Sequence, residues 1–202
     1  MINYKNINIC TNDFYNDYDN VKYENNFNFE IFNINFRKSI IDNDYNFQIS
    51  NLKLFKQFLK SEPNIDYDYL IFSLFPYIIT LSMSGNENLI ILILKILYLV
   101  SSKKLSNLTQ YYDFCLNYVH SNSNKIIKYS FYCIKNLCNQ SYDLIHYSFS
   151  KLPINELIFN YIYNERIDFK TKLAVYDILI YYVHSNPPHS TYPMTFIMIM
   201  II

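Results

Sequence analysis

IIKYSFYCIKNLCNQ, residues 126–140, is the segment from which the rest of the chain can be read. At about 100° per residue, Ile127, Ser130, Phe131, Ile134, Leu137 and Cys138 fall on one stripe of a helix. Lys128, Tyr132, Lys135, Asn136 and Asn139 fall on the opposite face. Such a helix has one oily side and must bury it on a neighbour. Cys133 lies about 140° round the helix from Cys138, so the two cannot share a metal or a disulfide. Both are expected to be structural, since a free cysteine behaves as a small buried hydrophobe.

Two further segments carry the same pattern. Phe131, Ile134 and Leu137 recur as Val175, Ile178 and Tyr181, 44 residues on, in TKLAVYDILIYYVHS. They recur as Ile93, Ile96 and Leu99, 38 residues back, in NLIILILKILYLVSS. One or two shorter helices fit between each pair. The spacing predicts helices over 66–83, 87–101, 107–120, 124–139, 142–150, 154–163 and 168–184, with an earlier one starting at a Ser50 N-cap. Short polar breaks separate them, and Gly85-Asn86 supplies a turn. No strand pattern interrupts residues 50–185. A period near 40 with two or three helices per unit belongs to the HEAT and armadillo class of helical solenoids. The expectation is therefore an all-α, armadillo-like α-solenoid of about three helical repeats over residues 50–185, with an irregular N-terminal segment.

Within that class, YCIKNLCN resembles the end of the third helix of an armadillo repeat, which reads Trp-Ala-Leu-x-Asn-hydrophobic. Tyr132 stands at the Trp position, Ile134 at the Leu and Asn136 at the Asn. The other two units carry Tyr176 and Leu94 at the Trp position, and Ile180 and Tyr98 at the Asn position. The resemblance covers residues 66–185. It implies a superhelix that holds an extended peptide along its groove through such Asn and aromatic side chains.

The ends of the chain read differently. Residues 1–48 hold seven acids against four bases, and Phe27, Phe29 and Ile31 alternate with polar residues as in a weak strand. That segment is equally well read as an Asn-rich disordered leader. Residues 186–202 hold the pair Pro187-Pro188 and end in the apolar run TFIMIMII, which reads as the first helix of a further repeat, as a cap packed across the last unit or as a contact with another copy. No signal peptide is visible and the four cysteines form no CxxC pair, so an intracellular, reducing compartment, cytoplasmic or nuclear, is expected.

Composition narrows the function classes. Lys+Arg and Asp+Glu both number 17, so no net charge draws in nucleic acid, and no basic cluster extends beyond Lys103-Lys104. A single glycine excludes a P-loop and a GxGxxG turn. His120, His146, His184 and His189 are scattered, with no metal-ligand spacing, and no catalytic arrangement or cofactor motif is present. His120 and His184 are expected at helix ends, where an imidazolium suits the dipole. The apolar stretches 69–83 and 89–100 are shorter than the roughly 20 residues a helical span needs, and they hold Pro76 and Lys95. The expected function is a non-enzymatic scaffold that binds a protein or peptide segment. Its groove would carry Lys128, Tyr132, Lys135, Asn136 and Asn139, with Lys172 and Tyr176 recurring at the offset of 44. The plain alternative for these residues is a solvated helix face in a chain of 22 tyrosines. The competing function is a small membrane-associated protein using residues 69–100 and 191–202.

Overall fold

The computed structural model describes residues 27–62 and 65–185. Among them every regular element is helical. The elements are α1 (Phe29–Ile41), α2 (Tyr45–Ser61), α3 (Tyr67–Ser82), α4 (Glu87–Ser101), α5 (Leu108–Leu116), α6 (Asn124–Cys138), α7 (Tyr142–Lys151), α8 (Ile154–Leu157) and α9 (Phe169–Ser185). A π-helical turn, Ile158–Ile162, continues α8.

The abundance of Asn and Asp finds its use at helix starts. Asn28, Asp44, Asp66, Asn86 and Asp168 each accept a backbone N–H two or three residues on, at 3.0–3.2 Å. Each satisfies a donor that the first turn would otherwise leave bare. Asn43 and Gly85 take positive φ, 53° and 68°, just beyond α1 and α3. Those are the left-handed positions that Asn and Gly tolerate best.

Two expectations are corrected here. Residues 29–41 are helix, not a strand or an irregular segment. Over so short a run, Phe27, Phe29 and Ile31 fit a period of two while Phe29, Phe32 and Phe36 fit the helical period. The helical set wins: Phe32, Phe36 and Ser39 are buried and Ile31 and Ile34 face solvent. Ring stacking adds to it, with Phe27 on Phe58 at 3.9 Å between centroids and Phe32 on Phe55 at 5.1 Å. Ser50 does not cap α2, which begins at Tyr45 behind the Asp44 cap. Ser50 sits inside the helix and its hydroxyl donates to the Asn46 carbonyl at 2.8 Å. The readings made for residues 1–26 and for the apolar tail 186–202 lie outside the described residues.

Helices α2, α4, α6 and α9 lie in a row, each packed on the next. Helices α1, α3, α5 and α7 form a second layer against that row. The α3 and α5 helices meet through Phe75, whose ring takes Tyr111 and Phe114 edge-on at 4.8 and 5.6 Å. The two apolar stretches of the sequence are the centre of this sandwich. Leu70, Ile71, Leu74, Phe75 and Ile78 of α3 are buried, as are Leu89, Ile90, Leu92, Ile93, Leu94, Ile96, Leu97 and Val100 of α4. No described helix is long and apolar enough to cross a membrane.

Distant parts of the chain are joined at a recurring sequence distance. Tyr147 Oη donates to Asp113, 34 residues earlier. Gln140 spans back to Ser101, 39 residues earlier. Cys133 Sγ reaches the Leu94 carbonyl, also 39 earlier, and Tyr161 Oη the Val119 carbonyl, 42 earlier. Tyr142 Oη donates to the Ser185 carbonyl, 43 residues later.

Candidate functional site

The side of the row turned away from the second layer is the surface that the groove residues define. On α6, Ile126, Ile127, Ser130, Phe131, Cys133, Ile134, Leu137 and Cys138 are buried. Lys128, Tyr129, Tyr132, Lys135 and Asn136 are half-buried between α4 and α9, and Asn139 is exposed at the helix C-cap. Cys133 is buried as fully as Cys138 although it lies on a different side. The reason is that α6 is flanked on both sides of the row, so its buried arc is wider than one stripe.

The structure brings most of the sequence-derived set together, but it spends several members on neighbouring helices. Lys128 Nζ lies 3.6 Å from Asp168 Oδ1 and over the Tyr132 ring, 5.8 Å from its centroid. Asp168 caps α9. Burial pushes its carboxyl upward, but the Thr171 hydroxyl and N–H together with Lys128 outweigh this and hold it below the usual carboxylate range. Lys135 Nζ lies 2.9 Å from Asp177 Oδ2, and that bond raises the ammonium. Asn136 Nδ2 donates to Ser101 Oγ on α4 at 3.1 Å. Two lysines and Asn136 thus hold α6 to α9 and to α4. Lys172 and Tyr176 occupy the matching places on α9, half-buried, with no side-chain bond to the described residues. Asn139 lines a shallow depression of about 260 Å³ with Tyr142, Tyr181 and His184 at the C-terminal ends of α6 and α9.

Two residues absent from the sequence-derived set complete the surface. Tyr98 of α4 and Tyr129 of α6 join Tyr132 in a three-ring cluster, with centroids 5.4–6.3 Å apart. Burial raises the Tyr132 phenol, and Asp168 adds to the shift. Lys95 Nζ sits 5.3 Å over the Tyr129 ring. The sequence did hold a signal for Tyr98, which stands at the Asn position of its unit; Tyr129 carried none. Phe169, Leu173 and Ile180 extend the open face along α9 as exposed apolar residues.

Chemically, the face offers phenol hydroxyls, aromatic rings, aliphatic side chains and two lysines, Lys95 and Lys172, that form no ion pair with the described residues. It positions no nucleophile beside a base. Among the described residues no group of His, Cys, Asp and Glu could hold a metal ion. His120 does not end α5 as a dipole partner. It lies beyond the helix, where Nε2 is 3.3 Å from Glu156 and Nδ1 is 3.0 Å from Tyr161 Oη. Compared with family models, with curated proteins and with solved structures, the chain matches none.

Proposed function

We propose that this chain is a non-enzymatic scaffold built as an armadillo-like solenoid, and that it binds an extended protein segment on the open face of α4, α6 and α9. The observation that carries the reading is the tyrosine cluster. Tyr98, Tyr129 and Tyr132 pack ring to ring across two helices, and Tyr98 keeps 38% of its surface in water. Rigid aromatic side chains of this kind provide contact area at low entropic cost and are enriched where proteins meet. The contacts at separations of 34 to 43 residues support the solenoid. The pairing of Lys128 and Lys135 with Asp168 and Asp177 changes the charge expectation. Acidic side chains of a partner would meet Lys95 and Lys172 instead.

The test is selection of a random peptide library, displayed on phage, against the full chain. Selected peptides should bind in solution, and Tyr132→Ala or Leu173→Asp should weaken them about tenfold or more, the size expected of a central contact. Lys128→Glu should unsettle α9 rather than the peptide. A library that yields no binder, or binders indifferent to Tyr132 and Leu173, removes this assignment.

A further inference from the structure

On the opposite side of the molecule, α3 and α5 leave a groove of about 380 Å³ between them. Its floor is Phe75 and Phe114, and Gln110, Asp113 and Asn117, spaced i, i+3, i+7, form the α5 rim. On the α3 side the rim is an apolar stripe: Phe72 is 57% exposed and Met83 79%, with Pro76 and Ile79 between them, while Tyr69 leans on Phe29 of α1. Asp68 to Met83 is about 22 Å along a helix axis, four turns. The next space along the same layer is closed, because Tyr147 of α7 donates to Asp113 of α5. The α3–α5 space has no such bridge beyond its N-terminal end, where the Ser106 N–H donates to Asp68 at 3.0 Å.

Charge selects the occupant. Neither α3 nor α5 carries a lysine, arginine or histidine. Their ionisable carboxylates are Asp68, in line with Phe75 and Ile79 on the groove side of α3, and Asp113 on the α5 rim. Both accept from neutral donors, the Ser106 N–H and the Tyr147 hydroxyl. Among the described residues, Arg37 lies over the Tyr77 ring of α3 and Lys103 over the Tyr67 ring. At about 100° per residue, Tyr77 projects from the far side of α3, while Tyr67 lies about 80° from Phe75, which leaves Lys103 at the N-terminal end of α3 beside the groove. Lys151 lies over the Tyr147 ring and is not among the residues lining the groove.

We propose that the α3–α5 groove seats an amphipathic helix of a partner protein, its apolar side on Phe72, Ile79, Met83 and Phe114 and its flanking lysines or arginines toward Asp68 and Asp113. A helix laid in a groove between two helices repeats the packing that already fills the rest of this layer. Acids that form no ion pair with the described residues, beside an apolar trough, favour a basic flank and repel an acidic one. This surface is separate from the open face of α4, α6 and α9, so either can fail alone.

The probe is a pair of synthetic amphipathic peptides of four helical turns, one of leucine and lysine, the other of leucine and glutamate. Binding to the full chain is followed by fluorescence anisotropy. The lysine peptide should bind saturably and at least roughly tenfold tighter than the glutamate peptide, with the advantage shrinking as salt rises. Met83→Asp or Phe72→Asp, both at exposed positions that leave the core intact, should abolish saturable binding. Asp113→Asn, which keeps an acceptor for Tyr147, should weaken it roughly two- to fivefold. Tyr132→Ala should leave it unchanged. Equal affinity for the two peptides overturns the charge selection. Saturable binding that survives both Met83→Asp and Phe72→Asp, or no saturable binding of the lysine peptide, overturns the groove.

Discussion

Phe131→Ala is the sharpest probe of how α6 is oriented. The Phe131 side chain is 0% exposed, and its ring meets Tyr161 edge-on at 4.6 Å between centroids. A buried phenylalanine hides roughly 150–250 Å². At about 25 cal/mol per Å², most of which alanine forfeits, the loss is about 3–5 kcal/mol once the cavity is included. In a chain of this size each kcal/mol moves Tm by roughly 2–4 °C, so the midpoint should fall by about 6–20 °C. Tyr129→Ala, two residues away on the half-exposed side, should cost about 1 kcal/mol. Urea unfolding followed by far-ultraviolet circular dichroism measures both. If Phe131→Ala does not fold, Phe131→Leu should still cost about 1–2 kcal/mol. A loss below about 1 kcal/mol for Phe131→Ala, or equal losses at the two positions, would refute the orientation of α6 and the row built on it.

Gln140 brackets the α4 C-terminus, donating to the Ser101 carbonyl at 2.6 Å and accepting from the Leu105 N–H at 3.1 Å. Gln140→Leu keeps the volume and strands both backbone groups, so unfolding free energy should fall by about 1–3 kcal/mol, against no change if water replaces the amide. Pro76 lies inside α3 and offers no N–H to the Phe72 carbonyl. Pro76→Ala should raise the unfolding free energy, and Tm with it, by about 1–3 kcal/mol less the entropy that alanine restores to the unfolded chain; a lowered Tm would show that proline fits this helix better than the hydrogen bond does. Burial pushes the Tyr111 phenol and the Cys138 thiol each up to about 12, and raises Tyr112 and Tyr161 as well. The folded state therefore keeps protons that the unfolded chain releases at the ordinary thiol and phenol values. Stability is intact below that range and is lost as pH rises toward the folded values. In an alkaline titration the exposed tyrosines should ionise first, and the rest in one step with loss of helix. Complete ionisation with the helix signal intact would contradict the burial.

The helices were legible in the sequence wherever a stripe of apolar residues ran for three turns or more. Residues 124–138 show this best, with Ile127, Phe131, Ile134 and Cys138 buried at helical spacing. The α1 helix was not legible, because Phe27, Phe29, Ile31 and Phe32, four apolar residues within six, satisfy two periods at once. What settled it is contact with Phe55 and Phe58 on α2, which no local pattern contains. The same holds for the start of α2, where Asp44 and Ser50 are both acceptable caps and the buried Gln48 and Asn51 require the earlier one.

The candidate face shows a similar division. Lys128, Tyr132, Lys135 and Asn136 were placed on one side of α6 by spacing alone, and spacing fixes an angle without naming a neighbour. Only the packing of α9 beside α6 brings Asp168 to Lys128 and Asp177 to Lys135, 40 and 42 residues away in the chain. Only the packing of α4 brings Tyr98 into the tyrosine cluster. Local periodicity is a property of a single helix and survives without partners, so the amino-acid order carried the helical class and the buried stripes. Which polar groups are consumed inside the fold and which face outward depends on the positions of two helices relative to one another, and that is a property of the assembled core.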